Sequence, residues 1–477
     1  MRKILLGTTA VVGAALLAPA GASAQEAPTV RIGGYFQAFY GHTTQSNPNG
    51  NNIAFADPAN ITAGAFPVGS PTLGTTGVVQ NQTPVTSLGS VRTGKNDFFS
   101  DAEVHVFVNG KAANGMSYGA VMELAFDLSE GSAPAGGRRT YTAKTMAWID
   151  EMYAFVSTPT LGQIRFGDED GPVGGLMNAG VITNFGTGGV YGFWQNAVIR
   201  PNRTTTSPGD LGDNTKIIYL SPQFFGFDAG VSFALNSGTG QDNGCVQSFA
   251  TWSCDRTYAF TGATANAIQS FTDQPQRRNE TQWMVRWRGD LMGIGLAASF
   301  GGVTWASIRD QTVAGNVATT LRPGQVWQAG IQASAYGFTL GAQYQWGQHN
   351  FFWGSQVRGD QDAQQFFAGG SYTLGPISVG ANSYWGSFSG TSGLTFNTTT
   401  GALTRTCTAA NPTCAAQRRY GYSVGANYRL APGLDLIAEY VRHVIHEPGV
   451  NVAGAASGSN QDKLRADVIL VGTRLAF

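Results

Sequence analysis

Alternation between apolar and polar residues runs through most of this chain and is the feature that most restricts its fold. In residues 101–110, alanine or valine occupies every even position from 102 to 108, and polar residues such as Asp101, Glu103 and His105 occupy positions between them. A period of two residues is typical of a β-strand with one apolar and one polar face. The sequence therefore predicts an all-β protein, with sixteen strands at 30–41, 97–110, 115–127, 146–158, 161–168, 214–222, 225–236, 279–290, 292–302, 324–335, 337–348, 364–374, 376–387, 418–430, 433–444 and 464–477.

The connections between these strands alternate strictly between long and short. Seven are tight turns, such as Pro159-Thr160 and Tyr336-Gly337, and eight are long loops, such as 42–96 and 169–213. Transmembrane β-barrels combine short periplasmic turns with long external loops, and a tilted strand of about ten residues crosses a bilayer. Because lipid satisfies no exposed backbone polar group, such a sheet must close on itself. The pattern predicts a transmembrane antiparallel β-barrel with both termini on the periplasmic side.

The N-terminal segment has the features of an export signal. Arg2 and Lys3 precede an apolar stretch over residues 4–20, and Ala22-Ser23-Ala24 forms a small-residue cleavage site. This predicts a signal peptide at 1–24 and a mature chain that begins at Gln25. An N-terminal membrane anchor is the alternative. No linker divides the remainder, so residues 25–477 are expected to form one barrel domain.

Composition excludes several functional classes. Charged residues make up only 12% of the chain, and mean hydropathy is −0.10. These values fit strands with one water-facing and one lipid-facing side better than they fit a soluble protein. Basic and acidic residues number 29 each, so the chain lacks the basic footprint of a nucleic-acid-binding protein. Its five histidines do not favour catalysis, and a hydrolytic membrane barrel is a minor alternative.

Four cysteines lie in predicted long loops as two close pairs. The pairs are Cys245 with Cys254 and Cys407 with Cys414. In an exported protein, each pair predicts a local disulfide. A metal site is the alternative, but the spacings miss the usual zinc pattern.

Three segments resemble the general porins of Gram-negative bacteria, especially those of alphaproteobacteria. They are the run 214–222 followed by Gly226-Phe227, the strand Leu161–Gly167, and the terminal Leu475-Ala476-Phe477. The resemblance implies an outer-membrane trimer, inserted by the barrel-assembly machinery among lipid and lipopolysaccharide. It also implies that the loop 169–213 folds inward as a constriction. Related porins often carry arginine where this chain has Asp168, so the charge polarity of the constriction is not carried over.

A barrel of sixteen strands is too wide for its side chains to fill, so it encloses an aqueous channel. Opposed charges across the constriction would select solutes there. The acidic candidates are Asp168, Glu169 and Asp170, which are also a possible calcium site. The basic candidates are Arg31, Arg165, Arg286, Arg288 and Arg429. The alternatives are an ordinary external loop, and arginines in a wide part of the lumen or at its rim.

The sequence thus predicts passive diffusion of small hydrophilic solutes and ions, without a cofactor, a catalytic residue or a resident metal. A substrate-selective channel and a non-conducting structural or adhesive barrel are the alternatives.

Overall fold

The computed structural model describes residues 26–46, 95–126, 148–198, 214–236, 245–248, 251–254, 277–306, 322–349, 356, 360–389, 394–396, 403–405, 416–446 and 463–477. The predicted signal peptide, Cys407 and Cys414 lie outside these residues. The strands are β1 (Glu26–Gln45), β2 (Asn96–Lys111), β3 (Ser117–Ala125), β4 (Trp148–Thr158), β5 (Gly162–Asp168), β6 (Thr215–Leu220), β7 (Phe227–Ala234), β8 (Cys245–Ser248), β9 (Thr251–Cys254), β10 (Arg278–Leu291), β11 (Ile294–Ala306), β12 (Gly324–Ala335), β13 (Phe338–Gln348), β14 (Ala363–Leu374), β15 (Ile377–Phe388), β16 (Leu394–Phe396), β17 (Leu403–Arg405), β18 (Gln417–Ala431), β19 (Leu434–His446) and β20 (Lys463–Ala476).

Sixteen of these strands form a closed antiparallel barrel in chain order, and the sequence prediction of that fold is confirmed. The other four form two short hairpins, β8-β9 and β16-β17, which periodicity missed because each strand has only three or four residues. Within the described residues, no helix is long and apolar enough to cross a membrane.

The two ends of the chain close the barrel. Strand β1 pairs with β20 from Tyr35 opposite Ala476 to Gln45 opposite Ala466. The backbone N–H of Phe477 donates to the carbonyl of Gly34, and the N–H of Gly34 donates to the carbonyl of Phe477, both at 3.1 Å. The terminal residue is therefore part of the seam and leaves no free edge there.

The tight turns follow from residues that tolerate positive φ. Tyr336 and Gly337 have φ values of 52° and 84°, as a two-residue type I′ turn requires. Such a turn places β12 and β13 in direct register, with Ala335 opposite Phe338.

The barrel places its apolar residues outside and its polar residues inside. Val30 and Ile32 are exposed on the outer surface. On the inner surface, Gln365 donates to Gln345 and Gln345 donates to Gln328, forming a ladder across three strands. The buried apolar clusters lie in the lumen, where a loop packs against the wall.

Candidate functional site

The third long loop enters the barrel, as the sequence predicts. Its described part, residues 169–198, is called the inner loop below. It contains one π-helical turn, Pro172–Leu176, and two short 3-10 turns, Gly189–Tyr191 and Phe193–Ala197. Irregular backbone at membrane depth is tolerated where it lines a water-filled cavity.

Apolar side chains hold the inner loop at both of its ends. Near its start, Val173 and Met177 pack with Met284 of β10 and Val326 of β12. Near its end, Trp194 is fully buried in a cluster whose other members include Phe39, Phe193, Ile437, Val441 and Leu470. The inner loop therefore follows the wall from β7 round to β1.

Polar side chains of the wall satisfy the backbone of the inner loop. Gln328 donates to the carbonyl of Val173 at 3.0 Å, and Ser299 accepts from the N–H of Ala179 at 3.0 Å. Asn382 accepts from the N–H of Val190 at 3.0 Å and donates to the carbonyl of Ile182 at 2.9 Å. These bonds supply partners that a loop without regular structure otherwise lacks inside a protein.

Glu439 is a charged residue among the wall side chains that bind the backbone of the inner loop. Its carboxylate accepts from the N–H of Thr187 at 3.0 Å and also from the Thr187 hydroxyl. Ser423 donates to the other carboxylate oxygen at 3.1 Å. The carboxylate thus holds the middle of the inner loop against β18 and β19.

Inward-facing glycines leave room for the inner loop. A Cβ atom on Gly330 would lie 1.9 Å from the carbonyl oxygen of Ala179, and one on Gly341 would lie 2.6 Å from that of Gly180. On Gly380, a Cβ atom would lie 2.2 Å from the ring of Phe185. Only glycine permits the backbone of the loop to approach the wall this closely.

Strands β2 and β3 carry a group of acidic side chains on the inner surface of the wall. Asp101 accepts hydrogen bonds from Tyr35 at 3.2 Å and Gln37 at 2.9 Å. Glu103 and Glu123 both lie beside His105, at 3.0 and 3.6 Å. None of these carboxylates is a predicted site residue, although the alternation in β2 does place Asp101 and Glu103 on its wet face.

The predicted acidic run lies at the start of the inner loop. Asp168 and Glu169 are only 5% and 3% exposed. Thr215 donates to Asp168, and Arg165 donates to Glu169 at 2.9 Å. Burial raises the pKa of the Glu169 carboxyl, and the Arg165 guanidinium opposes that shift. Asp170 is half-buried beside Gly175.

The structure brings two of the five predicted arginines together. Arg286 and Arg288 lie on β10 and both bind Asp228 at 2.7 Å. Arg286 also donates to the carbonyl of Leu176 at 3.4 Å, so it contacts the inner loop.

The remaining two arginines lie apart from that cluster. Arg31 of β1 stacks over the Phe107 ring at 4.6 Å. Arg429 is 69% exposed and lies 3.8 Å from Asp435 beside the tight turn between β18 and β19.

The structure describes the backbone of two of the four cysteines. Cys245 and Cys254 are directly opposed in the β8-β9 hairpin. Opposed residues in an antiparallel pair have Cα separations of about 4.5–5.5 Å, within the range of a disulfide.

Comparisons with known proteins give a consistent result. A sequence profile of the family described as Gram-negative porin matches residues 7–443. The outer-membrane channel DcaP of Acinetobacter baumannii aligns with 96% of this chain and 100% of its own, at 10% identity and a TM-score of 0.50. The anion-selective porin from Comamonas acidovorans aligns with 94% of this chain and 100% of its own, at 12% identity and a TM-score of 0.47. No curated protein sequence matches the chain.

Proposed function

The chain belongs to the Gram-negative porin family, and we propose that its channel is narrowed by the inner loop and polarised by opposed charges. It is an outer-membrane protein that forms a water-filled channel for passive diffusion of small hydrophilic solutes and ions. One observation carries the proposal. Arg286 contacts the start of the inner loop in the lumen, and the carboxylates of Glu103 and Glu123 lie on the wall at β2 and β3.

Opposed charges would set up a field across the channel. Asp101, Glu103 and Glu123 lie on the second and third strands of the ring, whereas Arg286 and Arg288 lie on the eighth. Two arginines share the single carboxylate of Asp228, which leaves positive charge on that side. Charges lining a narrow aqueous path select ions by sign and orient dipolar solutes.

Replacing both Arg286 and Arg288 with glutamine is expected to shift ion selectivity towards cations. The change removes two positive charges and leaves the Asp228 carboxylate without its partners. A unit charge a few ångströms from a permeating ion in water is worth about 1 kcal/mol, so the permeability ratio should change about five-fold at low salt. Reversal potentials across a planar bilayer under a KCl gradient measure this permeability ratio.

Arg429→Gln is the matched control because Arg429 lies beside a tight turn, is 69% exposed and has Asp435 only at 3.8 Å. A shift as large in this control as in the double variant would contradict the assignment of Arg286 and Arg288 to the selective region.

We further propose that the channel is general and that it has no catalytic activity. A general channel predicts solute flux proportional to concentration in liposomes. Saturable flux of one solute class would favour the substrate-selective alternative, and the absence of open steps in a bilayer would favour a structural barrel.

The outer surface from β2 to β6 is proposed to contact other copies of the chain in a trimer. Strands β5 and β6 have only seven and six residues. At about 3.3 Å per residue, six residues cover about 20 Å, less than the roughly 25 Å apolar band of such barrels. Protein contact would cover the outer surface where these strands are too short.

The distribution of tryptophan supports this assignment of the trimer contact to the surface from β2 to β6. Among the described side chains, every outward-facing tryptophan lies between β10 and β15, at positions 283, 287, 327, 346 and 385. Aromatic girdles mark surfaces that meet the lipid–water interface. The surface from β10 to β15 is therefore proposed to face lipid and lipopolysaccharide.

Ala154→Arg is expected to dissociate the trimer. Ala154 is exposed on the outer surface of β4, opposite Ala120. Ala298→Arg is the matched control on β11, where arginine would enter lipid, destabilise the barrel by about 2–4 kcal/mol and leave the trimer intact. Light scattering of the protein in detergent measures the oligomeric state and so distinguishes the two variants. Trimers of unchanged stability for Ala154→Arg would overturn the assigned interface.

The cleavage of the signal peptide and the disulfides of the long loops are proposed together because one experiment tests both. We expect mature protein that begins at Gln25, is assembled by the barrel-assembly machinery, and contains disulfides Cys245–Cys254 and Cys407–Cys414. Peptide mapping of membrane-extracted protein, without reduction, should find both linked peptide pairs and the new N-terminus. Unlinked cysteines under these conditions would contradict the disulfides.

A further inference from the structure

Three side chains with metal-binding atoms converge on the channel wall at β2 and β3. His105 and Glu123 are directly opposed in the sheet, and Glu103 lies two residues before His105, on the same face. One ligand atom from each residue lies within 4.8 Å of the others. The strand register alone places their Cβ atoms side by side, so the convergence does not depend on a loop.

The imidazole of His105 lies between two carboxylates. Nε2 of His105 lies 3.0 Å from Glu103, and Nδ1 lies 3.6 Å from Glu123. A neutral imidazole carries only one N–H, so it can donate to only one of the two carboxylates. A cation bound by the second ring nitrogen would partner the other carboxylate.

The electrostatic surroundings of these three side chains favour cation binding, and the side chains are accessible from the channel. Glu123 also experiences the negative charges of Asp150 and Glu169. The three side chains are 15% to 22% exposed, shielded enough to hold an ion yet open to channel water.

We propose that Glu103, His105 and Glu123 bind a divalent transition-metal ion, of the class of Zn²⁺, on the wall of the channel. One imidazole with two carboxylates suits Zn²⁺, whereas Mg²⁺ and Ca²⁺ prefer all-oxygen sites. Ligand atoms about 2 Å from a common ion lie up to about 4 Å apart, so small side-chain rotations complete the site. A bound ion would neutralise the two carboxylates on this part of the wall and reduce the cation current.

Calorimetric titration of the folded protein in detergent with ZnCl₂ tests the site independently of channel activity. Wild-type protein should bind Zn²⁺ and should not lose it to excess Mg²⁺. His105→Gln and Glu123→Gln should each weaken binding by at least about ten-fold. His42→Gln is the matched control, since His42 is a half-buried histidine hydrogen-bonded to Asn96, and should bind as wild type does.

Three outcomes would overturn the proposal. They are no Zn²⁺ binding by the wild-type protein, undiminished binding by both folded site variants, and equal loss in His42→Gln. Two site variants are used so that a folding defect in one leaves the other informative, with far-UV circular dichroism confirming the barrel. In a bilayer, micromolar Zn²⁺ should reduce the cation current of wild type more than that of His105→Gln.

Discussion

Replacing Glu439 with alanine is expected to release the inner loop and to increase the single-channel conductance. The carboxylate holds the N–H and hydroxyl of Thr187 and the hydroxyl of Ser423. Glu439 is only 3% exposed, so alanine would leave these donors without a partner in a buried setting. An unsatisfied buried donor costs about 1–3 kcal/mol, which raises the ratio of undocked to docked loop about 5- to 150-fold.

The measurement is planar-bilayer recording, with limited proteolysis of the loop as a second readout. Glu439→Gln is the matched control, because its amide oxygen still accepts a hydrogen bond in the same place and should preserve most of the docking. Wild-type conductance, noise and protease resistance in Glu439→Ala would show that Glu439 does not hold the loop.

Replacing Gly330 with leucine is expected to push the inner loop into the channel and to lower the conductance. A Cβ atom at this position would lie 1.9 Å from the carbonyl oxygen of Ala179, which is backbone and has no side-chain rotation by which to move away. The contacts of Val173 and Trp194 on either side remain, so the loop should bulge towards the channel axis rather than detach. Overpacking of this kind costs about 1–3 kcal/mol of folding stability.

Gly295→Leu is the matched control for this prediction. Gly295 also faces the lumen, on neighbouring β11, but its nearest neighbour would be the carbonyl oxygen of Ser334 at 3.6 Å and not the inner loop. Conductance and thermal unfolding in detergent should change much less in this variant. Equal effects in both variants would indicate that leucine obstructs the lumen directly, without moving the loop.

The barrel itself could be predicted because its signals are local. Alternation identifies which residues of β2 face water, and the predicted strand 324–335 coincides with β12 from Gly324 to Ala335. The short hairpin β8-β9 was missed because four residues are too few to show a period.

The wall residues that hold the inner loop could not be predicted. Glu439 and Asn382 are ordinary polar residues on the wet faces of their strands, and nothing in their neighbours marks them as partners of a loop. Gly330 and Gly341 likewise appear as two of the chain's 65 glycines. Asp168 was evident in the sequence as a charge, yet its partner Thr215 lies 47 positions away, and only folding brings the two together.

The sequence by itself determined the barrel, its inner and outer faces and the alternation of short and long connections, because each depends on residues within about ten positions. Tertiary structure decided where the loop lies and which charges meet, since Thr187 and Glu439 are 252 positions apart. Contacts over such separations depend on ring closure and strand register, which place side chains from distant strands on one surface.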